Sequence, residues 1–392
     1  VYMISPALLV QFRYGLAQQE FPERRVSRGF DLTSLGFSSN LAGLVDKSLA
    51  TVPRINAGSL STVSPWETGD GVTSSISHNV VGTFTWMKGD HNVRFGPDYM
   101  VFREFRNRFQ GDVSPDFSFS SLWGRGPLDN STAPPVGAEL VSLLLGIPGG
   151  SMSRSGSYAE QDQYLGLFIQ DDYKVTRKLT LNLGLRAEHE WPMTERFNRA
   201  VTQFDAVSAN PIEAKAIANY AKNPIPELPV SQFKVKGGVT FAGVGGNPRA
   251  YWSGQKLLWS PRLGLAYQWT SKTVVRIGYG IFNGSIGVLK TNTSQAGFSK
   301  STPIEASNDN GLTFIAWVQD PFPKGLLAAP GAAGGLETTL GQATYFFAKE
   351  RKLPYAQRWS LGLQRELPAA HMLEVSYVGN RTYKLESEAA FN

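Results

Sequence analysis

The chain has 392 residues, of which 42% are hydrophobic and 18% charged, with 40 glycines, no cysteine and a net charge of +6. It is too apolar for a disordered polypeptide, yet its charged content falls below the ~25% of an ordinary soluble domain and its glycine content exceeds the usual ~7%. The absence of cysteine excludes a disulfide framework, thiolate metal sites and cysteine nucleophiles. His78, His91, His189 and His371 stand apart, with no HxH or HExxH spacing, so no metal or other cofactor is expected.

The positive charge does not point to nucleic acid, because basic residues are scattered among acidic ones, as in Arg103-Glu104-Phe105-Arg106-Asn107-Arg108. No segment approaches the ~18 apolar residues of a membrane helix, since the best run, 140–147, contains Ser142 and Gly146. Val1 opens the sequence without a signal-peptide pattern, which reads as an internal fragment.

Along the chain the dominant period is two, the strand period. Alternation begins at Leu8 to Leu16, and a polar turn at Lys88 to Asn92 leads into Val93-Arg94-Phe95-Gly96. A second turn, Lys174 to Lys178, precedes Leu179-Thr180-Leu181-Asn182-Leu183-Gly184-Leu185-Arg186, with leucine at every odd position and a polar residue or glycine at every even one. Residues 214–222 read as one short helix. The pattern resumes in 261–269, turns at Thr270-Ser271-Lys272, returns as Val275-Arg276-Ile277-Gly278, and recurs in Trp359 to Gln364 before a turn at Pro368 to His371. This yields four hairpins and about eight to ten strands of the ~9–11 residues that cross a bilayer obliquely.

Between the hairpins lie Gly-, Pro-, Asn- and Ser-rich segments such as 192–256 and 284–351. Short turns at one end and long loops at the other predict an all-β fold, an antiparallel transmembrane β-barrel segment. Trp86, Tyr173 and Trp269 near the short turns, and Trp191, Phe282 and Trp359 near the opposite strand ends, are candidates for two aromatic girdles. Strand parity puts Arg94, Asn182, Arg186, Arg262 and Arg276 toward the lumen, to pair within the wall or with a plug, or to attract anionic ligands. No catalytic site is expected. Asp171 and Asp172 invite an acid/base reading, but adjacent strand residues face opposite ways, and no nucleophile elbow or phosphate loop is present. Asn130-Ser131-Thr132 and Asn380-Arg381-Thr382 match the glycosylation sequon, which is inconsequential in a bacterial protein.

Four strings carry a resemblance: 168–176 with 179–186, Ser260-Pro261-Arg262-Leu263-Gly264-Leu265-Ala266-Tyr267, 272–282, and Tyr355-Ala356-Gln357-Arg358-Trp359-Ser360-Leu361-Gly362-Leu363-Gln364. Together they resemble the barrel of TonB-dependent outer-membrane receptors, in particular the Oar-like subtype with a carboxypeptidase-regulatory-like amino-terminal domain. The resemblance implies a barrel of about twenty-two strands enclosing a plug, residence in outer-membrane lipid, energy from TonB-ExbB-ExbD through that plug, and import of a nutrient whose identity the loops do not reveal. Residues 1–392 would then be one partial barrel without its plug and amino-terminal domains. A passive porin or adhesion barrel, and a secreted carbohydrate-binding module, remain as alternatives.

Overall fold

The computed structural model describes residues 1–58, 60, 62, 71–108, 114–124, 136–284, 296–342 and 344–387; the tripeptide 130–132 and the final residues 391–392 lie outside them. Ten strands form one antiparallel sheet in chain order: β1 Tyr2–Ser5, β2 Leu8–Glu23, β3 Gly71–Lys88, β4 His91–Arg108, β5 Tyr158–Thr176, β6 Leu179–Glu195, β7 Leu258–Thr270, β8 Thr273–Asn283, β9 Tyr355–Glu366 and β10 Met372–Tyr383. Every strand pairs with its sequence neighbours, so the wall is a continuous up-and-down meander, open between β1 and β10.

The period-two sequence decides the sheet's two faces. Cross-strand register aligns Leu183 with Leu263 and Ile277 with Leu361, while Arg262 meets Gly184 and Gly280 on the other side. The apolar face packs against no second layer among the described residues. Leu167 is 52% exposed, Leu263 54% and Ile277 49%, values no sandwich core would show. That argues against the alternative of a secreted carbohydrate-binding module built as a β-sandwich, in which leucines on this face would be sealed against a partner sheet.

All five connections at one end are short, and four of them contain only two residues, Pro6–Ala7, Gly89–Asp90, Arg177–Lys178 and Ser271–Lys272. Gly89 adopts φ 57°, the left-handed conformation that a side chain resists and that closes the turn. Strands β3 to β6 hold 17–19 residues, longer than expected, whereas β7 to β10 hold 11–13. The excess of the long strands lies at the end away from the turns, where they rise into the loop layer.

The described parts of the long connections are folded together. Short strands at Arg54–Asn56, Asp116–Ser118, Gly149–Arg154 and Lys300–Pro303, drawn from three separate connections, form one four-stranded sheet. Leu32, Leu41, Phe117, Phe119, Met152, Ile304 and Phe322 build its core. A second core joins Met193, Tyr251, Trp252, Phe347 and Leu353, and a third packs Val201, Val239 and Phe241 under the hairpin Val201–Ala209/Lys236–Phe241. The expected short helix runs Glu213–Tyr220. The protein's buried apolar residues therefore lie mainly in this loop layer rather than on the wall, as expected where the wall's apolar face meets lipid tails and its other face water.

Glu195 ties the layer to the wall. Fully buried at the end of β6, its carboxylate accepts from the backbone amides of Ala159 at 2.9 Å, Phe197 at 2.7 Å and Arg199 at 2.8 Å. Arg351, stacked over Trp252 and Phe347, has its pKa lowered to about 10 by burial, and it reaches Glu386 beyond β10.

Candidate functional site

Register places Arg94, Asn182, Arg186, Arg262 and Arg276 on one face of the sheet, opposite the leucines. Their environments divide them into two sets. Arg94 donates to Asp172 at 2.9 Å, and Asn182 donates to the other oxygen of the same carboxylate at 2.6 Å. Asp172 is thus a structural acceptor. Asp171 projects from the opposite face and lies 2.7 Å from Nδ1 of His91, so the two carboxylates do not converge on one reacting atom.

Arg186 sits at the centre of the largest polar network. It donates to Asp98 at 2.7 Å, to the Tyr164 hydroxyl at 2.7 Å and to Glu188 at 3.0 Å. Tyr164 donates to Glu188 at 2.6 Å, Ser260 donates to Glu188 at 2.5 Å, Asn283 donates to Glu188 and Ser260, and Asn79 donates to Asp98. One chain of hydrogen bonds therefore crosses six adjacent strands, β3 to β8. It lines a cleft of about 280 Å³ under the loop layer, walled also by Met100, Leu258 and Leu353. Charge-assisted bonds of this kind fix strand register more firmly than neutral ones, because each ion left unpartnered would carry its own desolvation cost.

Arg262 and Arg276 behave differently. Both are exposed and neither makes an ion pair among the described residues, and the same holds for Arg358. Arg262 and Arg358 share a rung with Gly280 between them, about 10 Å apart at two strand spacings. Both guanidinium groups stack on Phe282, at 4.8 Å and 5.2 Å from its ring centroid. This corrects the girdle assignment of Phe282: Val275, Ile277, Tyr279 and Ile281 take the apolar parity, so residue 282 falls on the charged face beside Ala356. The wall thus carries a neutralised half around Arg94 and Arg186 and an uncompensated basic half around Arg262, Arg276 and Arg358.

The other aromatic candidates share the apolar parity. Trp86, Tyr173 and Trp269 lie toward the short turns, and Trp191 and Trp359 toward the loop layer. Tyr173 pairs with Leu181, and Gln163 pairs with Trp191 ten residues up the strand. Ten residues at ~3.4 Å, tilted by ~40°, project to about 26 Å, the height of an outer-membrane apolar band. Trp359 lies flat on Gly379, where an added Cβ would come within 2.2 Å of the indole, so only glycine fits that wall position.

Sequence reasoning missed Asp98, Tyr164, Glu188, Asn283 and Arg358. The parity that marked Arg186 also marks Glu188, but Asp98 and Tyr164 sit in strands whose alternation is interrupted by polar residues on both faces.

The whole chain, residues 1–392, matches the family model described as outer membrane beta barrel domain. Among solved structures it aligns with the closed form of the ferric-catecholate import receptor Fiu from K12 E. coli at 13% identity and TM-score 0.35, covering 97% of this chain and 38% of that one. The copper transporter OprC aligns at 10% identity and TM-score 0.37, over 93% and 34% respectively. A double mutant of the Serratia marcescens hemophore receptor HasR, in complex with HasA and heme, aligns at 11% identity and TM-score 0.34, over 81% and 34%. The chain spans little more than a third of the length of these structures. No curated protein matches it.

Proposed function

Since the chain belongs to the outer membrane β-barrel domain family and so resides in the outer membrane, we propose that it is part of the wall of a TonB-dependent receptor of the Oar-like subtype. In that reading residues 1–392 are a partial barrel whose plug and amino-terminal domains lie elsewhere in the parent protein. The loop layer binds a nutrient outside the cell, and the plug, coupled to TonB-ExbB-ExbD, releases it to the periplasm. The function is binding and transport rather than enzymatic turnover, with no cofactor and no nucleic-acid partner.

The observation that carries this reading is the division of labour in the wall. Five short turns close one end, and a folded loop layer with three apolar cores covers the other. A layer with its own core can hold a recognition surface rigid, which a simple pore rim does not need. The exposed guanidinium groups of Arg262, Arg276 and Arg358, which make no ion pair among the described residues, face the interior and offer a plug or an anionic solute a charge partner.

Two measurements test this. In the full-length parent protein reconstituted into planar bilayers, conductance is expected to be negligible, because a plug fills the barrel; a steadily open channel would select the passive-porin reading instead. Topology is read with trypsin on intact cells. Lys324, exposed in the loop layer, is expected to be cut, while Lys272, exposed in the β7–β8 turn, is spared. Cleavage at Lys272 alone would invert the orientation.

A further inference from the structure

At the turn end of the apolar face a pocket of about 590 Å³ opens between the β3–β4 hairpin and β5, and Trp86, Lys88, Asp90, His91 and Tyr173 supply its chemistry. By parity Trp86, Lys88, His91 and Tyr173 all project from the lipid-side face, and Asp90 caps them from the turn. The imidazole of His91 is fixed twice. Its Nδ1 lies 2.7 Å from Asp171, and its ring stacks on Tyr173 with centroids 4.0 Å apart and planes 7° from parallel. Nε2 is therefore the nitrogen left for an outside partner. Lys88 holds its ammonium over the Trp86 ring at 5.3 Å and makes no ion pair among the described residues.

An ammonium and an imidazole nitrogen beside an exposed carboxylate, between two aromatic rings at the rim of an apolar band, match a molecule that carries phosphate, a primary ammonium and acyl chains together. We infer that this pocket binds the headgroup of an ethanolamine phospholipid of the inner leaflet. Lys88 and Nε2 of His91 meet the phosphate, Asp90 accepts from the ammonium, and the acyl chains descend over Val93 and the leucines of the apolar face. The occupant follows from the place, because lipid is what covers that face. Asp90 sets the selectivity: a glycerol headgroup brings no cation to it, a trimethylammonium brings no N–H, and the second phosphate of lipid A would meet it with like charge.

The inference rests on the proposed orientation, turns toward the periplasm, and its test separates the two. The full-length protein, delipidated in mild detergent, is titrated by native mass spectrometry with phosphatidylethanolamine, phosphatidylglycerol and lipid A. Heat-modifiable gel mobility confirms that each variant is folded. Wild type is expected to prefer phosphatidylethanolamine; Lys88→Gln is expected to weaken it at least about tenfold, and Asp90→Asn to erase the preference over phosphatidylglycerol. Both side chains lie at an exposed turn, so neither change is expected to disturb the wall. Equal binding of the two phospholipids by wild type, or binding indifferent to Lys88 and Asp90, would overturn the pocket assignment and leave the orientation standing. Preferential lipid A binding that Lys88→Gln abolishes would overturn the orientation.

Discussion

Replacing Arg186 with methionine in the full-length protein is expected to cost about 3 kcal/mol of stability, the lower end of the range for breaking a buried ion pair. Arg186 is 19% exposed, and the carboxylates it separates, Asp98 and Glu188, are 24% and 14% exposed. Methionine fills comparable volume but leaves two acids facing each other across β4 to β6 without a cation. Residual solvent access is what holds the expected loss at the low end. The matched control is Arg262→Met, which removes an exposed guanidinium with no ionic partner among the described residues and is expected to cost less than about 1 kcal/mol. Adding Glu188→Gln to Arg186→Met is expected to restore part of the loss, since one stranded charge disappears and the two sites share a network. Reversible urea unfolding in lipid or detergent reads all three. Equal losses at Arg186 and Arg262 would mean that the six-strand network contributes nothing specific.

The wall could be read from the sequence because its physics is local: period-two alternation names the strands, and leucine at 179, 181, 183 and 185 names the lipid side. The short turns were equally legible, although they are tighter than the polar stretches around them, with β5 running on through Thr176. Phe282 was misplaced because residue type was followed where parity should have ruled. Of the partners of Arg186, Glu188 lies two residues along the same strand, but Asp98 and Tyr164 lie on β4 and β5, which no short-range pattern connects to it, since a cross-strand contact is fixed by register and a one-residue slip would reverse every face. Least legible was the loop layer. Tyr251 and Phe347 are far apart in Gly- and Pro-rich sequence without periodicity, yet they stack 6.0 Å apart in one core. Cores assembled from several connections carry no sequence period, so 192–256 and 284–351 read as loops although their described residues build a layer.

At the centre of the lipid face the expected result is asymmetric: Leu167→Arg costs on the order of 2–4 kcal/mol, while Leu167→Ala costs little. Leu167 lies midway along the stretch between the levels of Tyr173 and Trp191 and pairs with Pro97 and Ala187, so no acidic residue stands directly opposite it on either neighbouring strand. Leu183 would be a poorer site, because Asp171 lies directly across from it and would accept the new guanidinium as a counter-ion. An arginine at Leu167 must either strand its charge in hydrocarbon or snorkel half the band's height to the headgroups. Alanine removes three carbons without sealing a void, since mobile acyl chains fill the space. Inside a protein core the same truncation would cost about 2–5 kcal/mol through transfer and cavity terms together. The pair of substitutions therefore reports what solvent covers Leu167. Comparable losses for arginine and alanine, measured by reversible unfolding of the full-length protein in phospholipid bilayers, would mean that protein rather than lipid packs on this face.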